Sequence, residues 1–134
     1  MATVLVVDHE QIVRNVVRAA LARAGHEVLE ARTAQEAFDI ARQHLPRIDV
    51  LITNAHLPDA EGVSIARQFE GLRPGLNIMQ ICGHPKCPIA HEPGFESQAM
   101  FLQKPFKASD LVNVVHQMLS RPGTASGGAG AASD

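Results

Sequence analysis

Near the start of the chain, residues 3–10 have the sequence Thr-Val-Leu-Val-Val-Asp-His-Glu. The first five residues of this stretch are almost wholly apolar and mostly β-branched, which favours a strand buried on both faces over one with a solvent-exposed face. Polar residues follow without a break, so we predict that the strand ends at Val7 and that Asp8 and His9 begin a loop. A strand buried on both faces is typical of a parallel sheet that helices cover above and below.

An amphipathic helix is predicted directly after this loop. Apolar residues recur there at helical spacing and are expected to face the core: Ile12, Val13, Val16, Val17, Ala20, Leu21 and Ala24. Arg14, Arg18 and Arg23 fall on the other faces of the same helix. Gly25 is well placed to end it.

Strand and helix patterns then alternate along the rest of the chain. Further strands are predicted at residues 27–31, 49–53, 76–82 and 99–103. Helices are predicted from Thr33, which forms a capping box with Glu36, to about His44, then over 62–70, and over 109–119 with Ser109 as N-cap. Prolines interrupt residues 83–97, so the fourth helix of the pattern is expected to be short or broken.

Length and composition restrict the class of protein. The 134 residues correspond to one domain, predicted over 1–120, with a disordered Gly/Ala/Ser tail over 121–134. Lys and Arg total 12 against 14 Asp and Glu, a balance that argues against nucleic acid as a direct partner. No apolar segment is long enough to cross a membrane, so we expect a cytoplasmic protein with no membrane contact. Cys82 and Cys87 are too few for a disulfide framework.

The alternation predicts an α/β fold: a doubly wound, five-stranded parallel sheet with helices on both faces. In such folds the functional site lies at the carboxyl ends of the strands. Residues with polar or reactive side chains follow four of the predicted strands: Asp8, His9, Asn54, His56, Cys82, His84 and Lys104.

Four segments at these strand ends carry a family resemblance. They are VLVVDHE at 4–10, LITNAHLPDAEG at 51–62, IMQICGH at 78–84 and FLQKPF at 101–106. In order and spacing they resemble the receiver domain of bacterial two-component response regulators, which has a flavodoxin-like fold, over roughly 3–120. In that family the first strand ends in an acidic pair, the third in the phosphoaccepting Asp, the fourth in Thr or Ser, and the fifth in Lys-Pro.

The departures from the family pattern bear on phosphorylation and on Mg²⁺. Asn54 stands at the phosphoacceptor position, and an amide is not the anionic nucleophile that aspartyl phosphorylation needs. Of the acidic pair only Asp8 remains, because the second position is His9. An imidazole is a poor ligand for Mg²⁺, so we expect no cofactor and weak or absent Mg²⁺ binding.

The positions that relay the family's switch are altered as well. Cys82 replaces the Thr or Ser, and Phe101 stands at the position of the relay's aromatic residue without a hydroxyl group. Lys104 alone keeps its family identity, and it is expected to pair with Asp8. Because several positions differ together, natural divergence is a simpler account of Asn54 than a single engineered substitution.

The resemblance therefore implies a stand-alone degenerate receiver, or pseudo-receiver, that is not an enzyme. It would act by phosphorylation-independent contact with another signalling protein, such as a histidine kinase, a phosphotransfer protein or a regulator; homodimer formation stays open. An alternative is a regulator that still switches through phosphorylation of His9 or His56. A second alternative is a transition-metal site in the remodelled pocket, with candidate ligands His9, His56, Cys82 and His84.

Overall fold

The computed structural model of the chain describes residues 2–54, 57, 62–82, 99–103 and 106–120. Its elements, in chain order, are β1 Thr3–Val7, α1 Gln11–Arg23, β2 Glu27–Ala31, α2 Ala34–His44 with a 3₁₀ turn at Leu45–Arg47, β3 Val50–Asn54, α3 Gly62–Leu72, β4 Asn77–Cys82, β5 Ala99–Gln103 and α4 Ala108–Ser120.

The described strands form one parallel sheet in the order β2-β1-β3-β4-β5. From β1 the chain passes to β2 at one edge of the sheet. It then returns to the other side of β1 for β3, and β4 and β5 follow toward the opposite edge. β1 and β3 are therefore neighbours at the point where the strand order reverses, and Val7 pairs with Thr53 there. In open α/β sheets ligand sites form at this reversal, outside the carboxyl ends of the strands.

Helices cover both faces of the sheet, as predicted. One face packs against α2 and α3 through a core that includes Leu5, Leu51, Ala37 and Phe69. The other face packs against α1 and α4 through a core that includes Val4, Ile52, Leu21, Val115 and Met118. Successive residues of β1 and β3 alternate between these cores, which explains why these two central strands are apolar on both sides.

Local signals at helix ends agree with the structure in two places. The backbone N–H of Glu36 donates to Thr33 Oγ1 over 3.2 Å, as the predicted capping box requires. The Glu36 carboxylate reaches back to the N–H of Arg32 over 2.9 Å, and this hydrogen bond holds the pKa of Glu36 below its ordinary value. Gly25 follows α1 with a φ of 92°, a left-handed conformation that favours glycine.

The buried face of α1 differs from the prediction. Ile12 and Val16 are 77% and 41% exposed, and Ala24 is exposed beyond the end of the helix. Arg14, predicted on another face, is buried. The buried arc is centred on Val17, with the Ile12 and Val16 flank turned outward and the Arg14 flank turned inward.

Boundaries also shift in places. The prediction of Ser109 as N-cap was wrong: α4 begins at Ala108, and the N–H of Lys107 donates to Asp110 Oδ2 over 3.2 Å. β3 and β4 each begin one residue later than predicted, and β3 includes Asn54.

The predicted broken helix at 83–97 and the predicted tail at 121–134 lie outside the described residues. Among the helices that the structure describes, none has the length and apolarity to cross a membrane.

Candidate functional site

The carboxyl edge of the sheet brings Asp8 and Asn54 together. Asp8 directly follows β1, and Asn54 is the last residue of the neighbouring strand β3. Both side chains are buried: Asp8 is 1% exposed and Asn54 is 8% exposed. Both residues therefore lie at the carboxyl edge of the sheet, where the alternation of strands and helices predicts a functional site.

The Asp8 carboxylate accepts hydrogen bonds on both oxygens. Oδ1 accepts from the backbone N–H of Glu10 over 2.9 Å, and Oδ2 accepts from Asn54 Nδ2 over 3.2 Å. Because a carboxylate only accepts, the amide nitrogen of Asn54 must be the group that faces it. Donors to an ionised group form strong hydrogen bonds, so these contacts offset part of the free energy of burying the charge.

His9 lies at the rim of this pair. Its imidazole is 46% exposed, and its Nδ1 is 3.7 Å from Asp8 Oδ1, too far for a hydrogen bond. A protonated His9 would therefore interact with Asp8 only as a solvent-screened ion pair. Within the described ranges, no group of three or more His, Cys, Asp or Glu side chains is placed to hold a metal ion.

Arg14 is a site residue that the sequence pattern did not reveal. Its Nη1 donates to the backbone carbonyl oxygen of Asp8 over 2.7 Å, and its Nε donates to Glu30 Oε1 over 3.2 Å. Arg18 Nε lies 2.9 Å from the other oxygen of Glu30. The network ties the loop that carries Asp8 to α1 and β2. One signal was available: helix side chains point toward the N-terminus, so a long cation in the first turn of α1 can reach the preceding loop.

The remaining predicted positions are described in part or not at all. Cys82 ends β4, whose residue Ile81 pairs with Asn54, so the backbone of Cys82 reaches the same edge. Phe101 lies in β5, paired with Gln80. The predictions for Lys104, His56, His84 and Cys87 fall outside the described residues.

Comparison with known proteins gives consistent matches. The sensor kinase CckA of Brucella abortus is 28% identical over 120 residues, which cover 90% of this chain but 13% of the kinase. The receiver protein CpdR of the same organism is 27% identical over 119 residues, which cover 89% of this chain and 98% of CpdR. A crystal structure of a receiver domain protein from Clostridium thermocellum matches with a TM-score of 0.79 and 27% identity, covering 89% of this chain and 94% of that one.

The family model for the response regulator receiver domain matches residues 4–116. That span includes all of the described sheet except Thr3, and both residues that meet at its carboxyl edge. The chain belongs to the response regulator receiver domain family, whose members act in two-component signalling.

Proposed function

We propose that this chain is a pseudo-receiver, a receiver domain that signals by binding another protein without aspartyl phosphorylation and without Mg²⁺. The observation that supports this proposal most strongly is the hydrogen bond from Asn54 Nδ2 to Asp8 Oδ2. It puts an N–H donor where phosphorylation of the family's aspartate would need an anionic oxygen.

Phosphoryl transfer to a receiver needs a carboxylate that attacks phosphorus and forms an acyl phosphate. The Asn54 amide has no anionic oxygen, and its nitrogen lone pair is delocalised into the carbonyl group. Its NH₂ group also points at Asp8, so a rotation that presented the amide oxygen would set two acceptors against each other. Asn54 is therefore proposed to have a fixed structural role beside Asp8.

The described residues do not fit Mg²⁺. This hard cation prefers carboxylate and water oxygens in octahedral geometry. Asp8 supplies one carboxylate, whose oxygens already accept from Glu10 and Asn54, and the adjacent position offers the imidazole of His9. Binding Mg²⁺ would require breaking these hydrogen bonds and turning the Asn54 amide around, so weak or absent binding is part of the proposal.

The proposed partner is a histidine kinase, a phosphotransfer protein or another regulator of a two-component system. Two observations support a protein partner. The family works through such contacts, and α1 exposes the apolar side chains of Ile12 and Val16 next to the loop that carries Asp8. These two residues are one helical turn apart, so they form a single apolar strip beside the site.

Intact-mass spectrometry after incubation with acetyl phosphate and Mg²⁺ tests the absence of phosphorylation. The wild-type chain and the Asn54→Asp variant are treated side by side. We expect no phosphoryl adduct on the wild-type chain. An adduct on wild type would overturn the proposal; mapping it to His9 or His56 would instead favour a regulator phosphorylated on histidine. Beryllofluoride with Mg²⁺ should likewise leave the amide resonances of Asp8, Asn54 and Lys104 unshifted.

Binding to purified histidine kinases and phosphotransfer proteins of the source organism tests the contact itself. Ile12→Asp should weaken binding at least tenfold, a loss of about 1.4 kcal/mol or more. Leu72→Asp is the matched control, because Leu72 is also exposed and apolar but lies at the far end of α3. Equal binding by the Ile12→Asp and wild-type chains would exclude α1 as the contact surface.

A further inference from the structure

Two histidines that are 90 residues apart in the chain meet at the amino edge of the sheet, opposite the candidate site. His26 lies between α1 and β2, and His116 lies in the second half of α4. Their Nε2 atoms are 3.2 Å apart, with ring centroids separated by 5.3 Å at an interplanar angle of 67°. The pair therefore connects α4 to the corner between α1 and β2.

The backbone of Ala2 determines where the protons lie. Its N–H donates to His26 Nδ1 over 3.0 Å in a buried contact, so Nδ1 must carry a lone pair. A neutral His26 then has its proton on Nε2 and donates it to His116 Nε2. His116 must accept at that atom, so its own proton is on Nδ1. The arrangement is a chain of donors from Ala2 to His26 and from His26 to His116.

Protonation of either imidazole breaks this chain. A proton on His26 Nδ1 would face the N–H of Ala2, and a proton on His116 Nε2 would face the N–H of His26. Each event replaces a hydrogen bond with two N–H groups directed at each other, and it adds a positive charge beside a buried ring. The N–H of Ala2 and the rings of His26 and His116 can all keep their hydrogen bonds only when both imidazoles are neutral.

Burial and most of the nearby charges also disfavour protonation of His26. Burial lowers the pKa of His26 from its ordinary value of 6.5, and His116 and the amino group at the start of the chain lower that pKa further. Asp49 has the opposite effect and raises the pKa of His26, but it is the smallest of these influences. The Asp49 carboxylate is also engaged by Thr3, whose N–H donates to Oδ2 over 2.9 Å.

The same geometry argues against a metal bridge between the two rings. Nitrogens 3.2 Å apart have the spacing of two ligands on one tetrahedral ion, so the distance alone would allow one. A histidine that binds metal through Nε2 normally donates its Nδ1–H to an acceptor. In His26, Nδ1 instead accepts from Ala2, which leaves the proton on the atom that would have to bind the metal.

We propose that His26 and His116 form an acid-sensitive latch, which holds α4 against the corner between α1 and β2 while both imidazoles are neutral and releases it when either is protonated. The latch makes the stability of the fold depend on pH in a defined direction. Because the pKa of His26 is lower in the folded state, its contribution is complete above the unfolded value of 6.5 and is lost as the pH falls through the folded pKa.

The first test determines the tautomers of the full-length protein by nitrogen NMR above neutral pH. We expect the proton on Nε2 of His26 and on Nδ1 of His116. A proton on Nδ1 of His26 would overturn the proposal, because the donation from Ala2 would then be absent.

The second test compares urea unfolding at about pH 8 and about pH 5.5, on either side of the ordinary histidine pKa. His26→Asn keeps an acceptor near the N–H of Ala2 but does not titrate, and His116→Gln keeps an acceptor for His26. From about pH 8 to about pH 5.5 the unfolding equilibrium constant of each protein should rise by some factor. For wild type this factor should be about three times that of His26→Asn or more, and the factor for His116→Gln should lie between the two. His44→Gln, the same substitution at the end of α2, should behave like wild type.

Hydrogen exchange locates the effect. After correction for intrinsic rates, acidification should reduce amide protection in the second half of α4 of wild type more than in His116→Gln. If acidification raises the unfolding constant of wild type and His26→Asn by the same factor, the latch proposal is wrong. It is also wrong if acidification reduces amide protection in α4 equally in wild type and His116→Gln.

Discussion

The guanidinium of Arg14 donates from Nη1 to the backbone carbonyl oxygen of Asp8 over 2.7 Å, while the side chain of the same Asp8 accepts from Asn54 Nδ2. Asp8 is thus held through its main chain by α1 and through its carboxylate by β3. Both hydrogen bonds are buried, so losing either one is costly because its polar groups have already given up their contacts with water.

Arg14→Met should destabilise the fold. The substitution keeps an apolar stem but removes the donor to the Asp8 carbonyl and one partner of Glu30, so we expect the free energy of unfolding to fall by about 1–3 kcal/mol. Arg18→Met is the control, because Arg18 is half exposed and pairs with the same Glu30. Urea denaturation of both variants checks the difference; equal losses would mean that the buried contact to Asp8 contributes nothing.

Asn54→Asp converts the donor that faces Asp8 into a second carboxylate. At neutral pH we expect a loss of about 1.5–3 kcal/mol, the contribution of a hydrogen bond to a charged acceptor. Stability should recover partly at lower pH, because one of the two facing carboxyls can then take up a proton. Thermal unfolding against pH measures this recovery, with Asn113→Asp on the exposed side of α4 as the matched control.

Mg²⁺ should distinguish the same variant from wild type. Two facing carboxylates attract a hard cation, so millimolar Mg²⁺ should raise the melting temperature of Asn54→Asp and leave that of wild type within error. An equal rise in both proteins would contradict the proposal that the native site does not fit this ion.

Leu21→Ala and Ile12→Ala test which side of α1 is buried. Leu21 is fully buried, so truncating it should reduce the free energy of unfolding by about 2–5 kcal/mol. Ile12 is 77% exposed, and its truncation should change stability by less than about 0.5 kcal/mol. Chemical denaturation of the two variants provides the measurement. A large loss of stability for Ile12→Ala would mean that Ile12 is buried, as the sequence pattern predicts.

Thr33→Ala and Ser109→Ala separate a true N-cap from a predicted one. Removing the Thr33 hydroxyl should destabilise the protein by about 1 kcal/mol, because the N–H of Glu36 loses its acceptor. Ser109 lies inside α4 and is exposed, so alanine there should be neutral or slightly stabilising. Urea midpoints report both effects, and a reversed order would make Ser109 the N-cap and place the start of α4 at Asp110, two residues later.

Much of the fold could be predicted from the sequence because its signals are local. β1 and β2 occupy the predicted residues; β1 is an almost wholly apolar run with an abrupt polar end, and β2 is a short segment between the Gly25 turn and the capping box of α2. The meeting of Asp8 and Asn54 also follows from topology, because parallel strands that are neighbours in the sheet end at the same edge.

What the sequence did not predict depends on the neighbours of each element. Arginine is usually a surface residue. Arg14 can be buried because the Asp8 carbonyl oxygen and Glu30, which lie on other elements, accept its hydrogen bonds. Ile12 and Val16 match a buried helical pattern, yet both are exposed, because α1 buries only the arc centred on Val17. The contact between His26 and His116 joins residues too far apart in the chain for any periodicity to indicate.

The strand order also bears on how the molecule folds. Asp8 and Asn54 are 46 residues apart, and their strands are brought side by side only after β2 and α2 have been synthesised between them. Closing a loop of that length loses chain entropy before any contact compensates, so this parallel pairing is expected to be a slow step in folding. On the ribosome, the carboxylate of Asp8 therefore remains hydrated until residue 54 has emerged, and burial of that one charge reports that the centre of the sheet is complete.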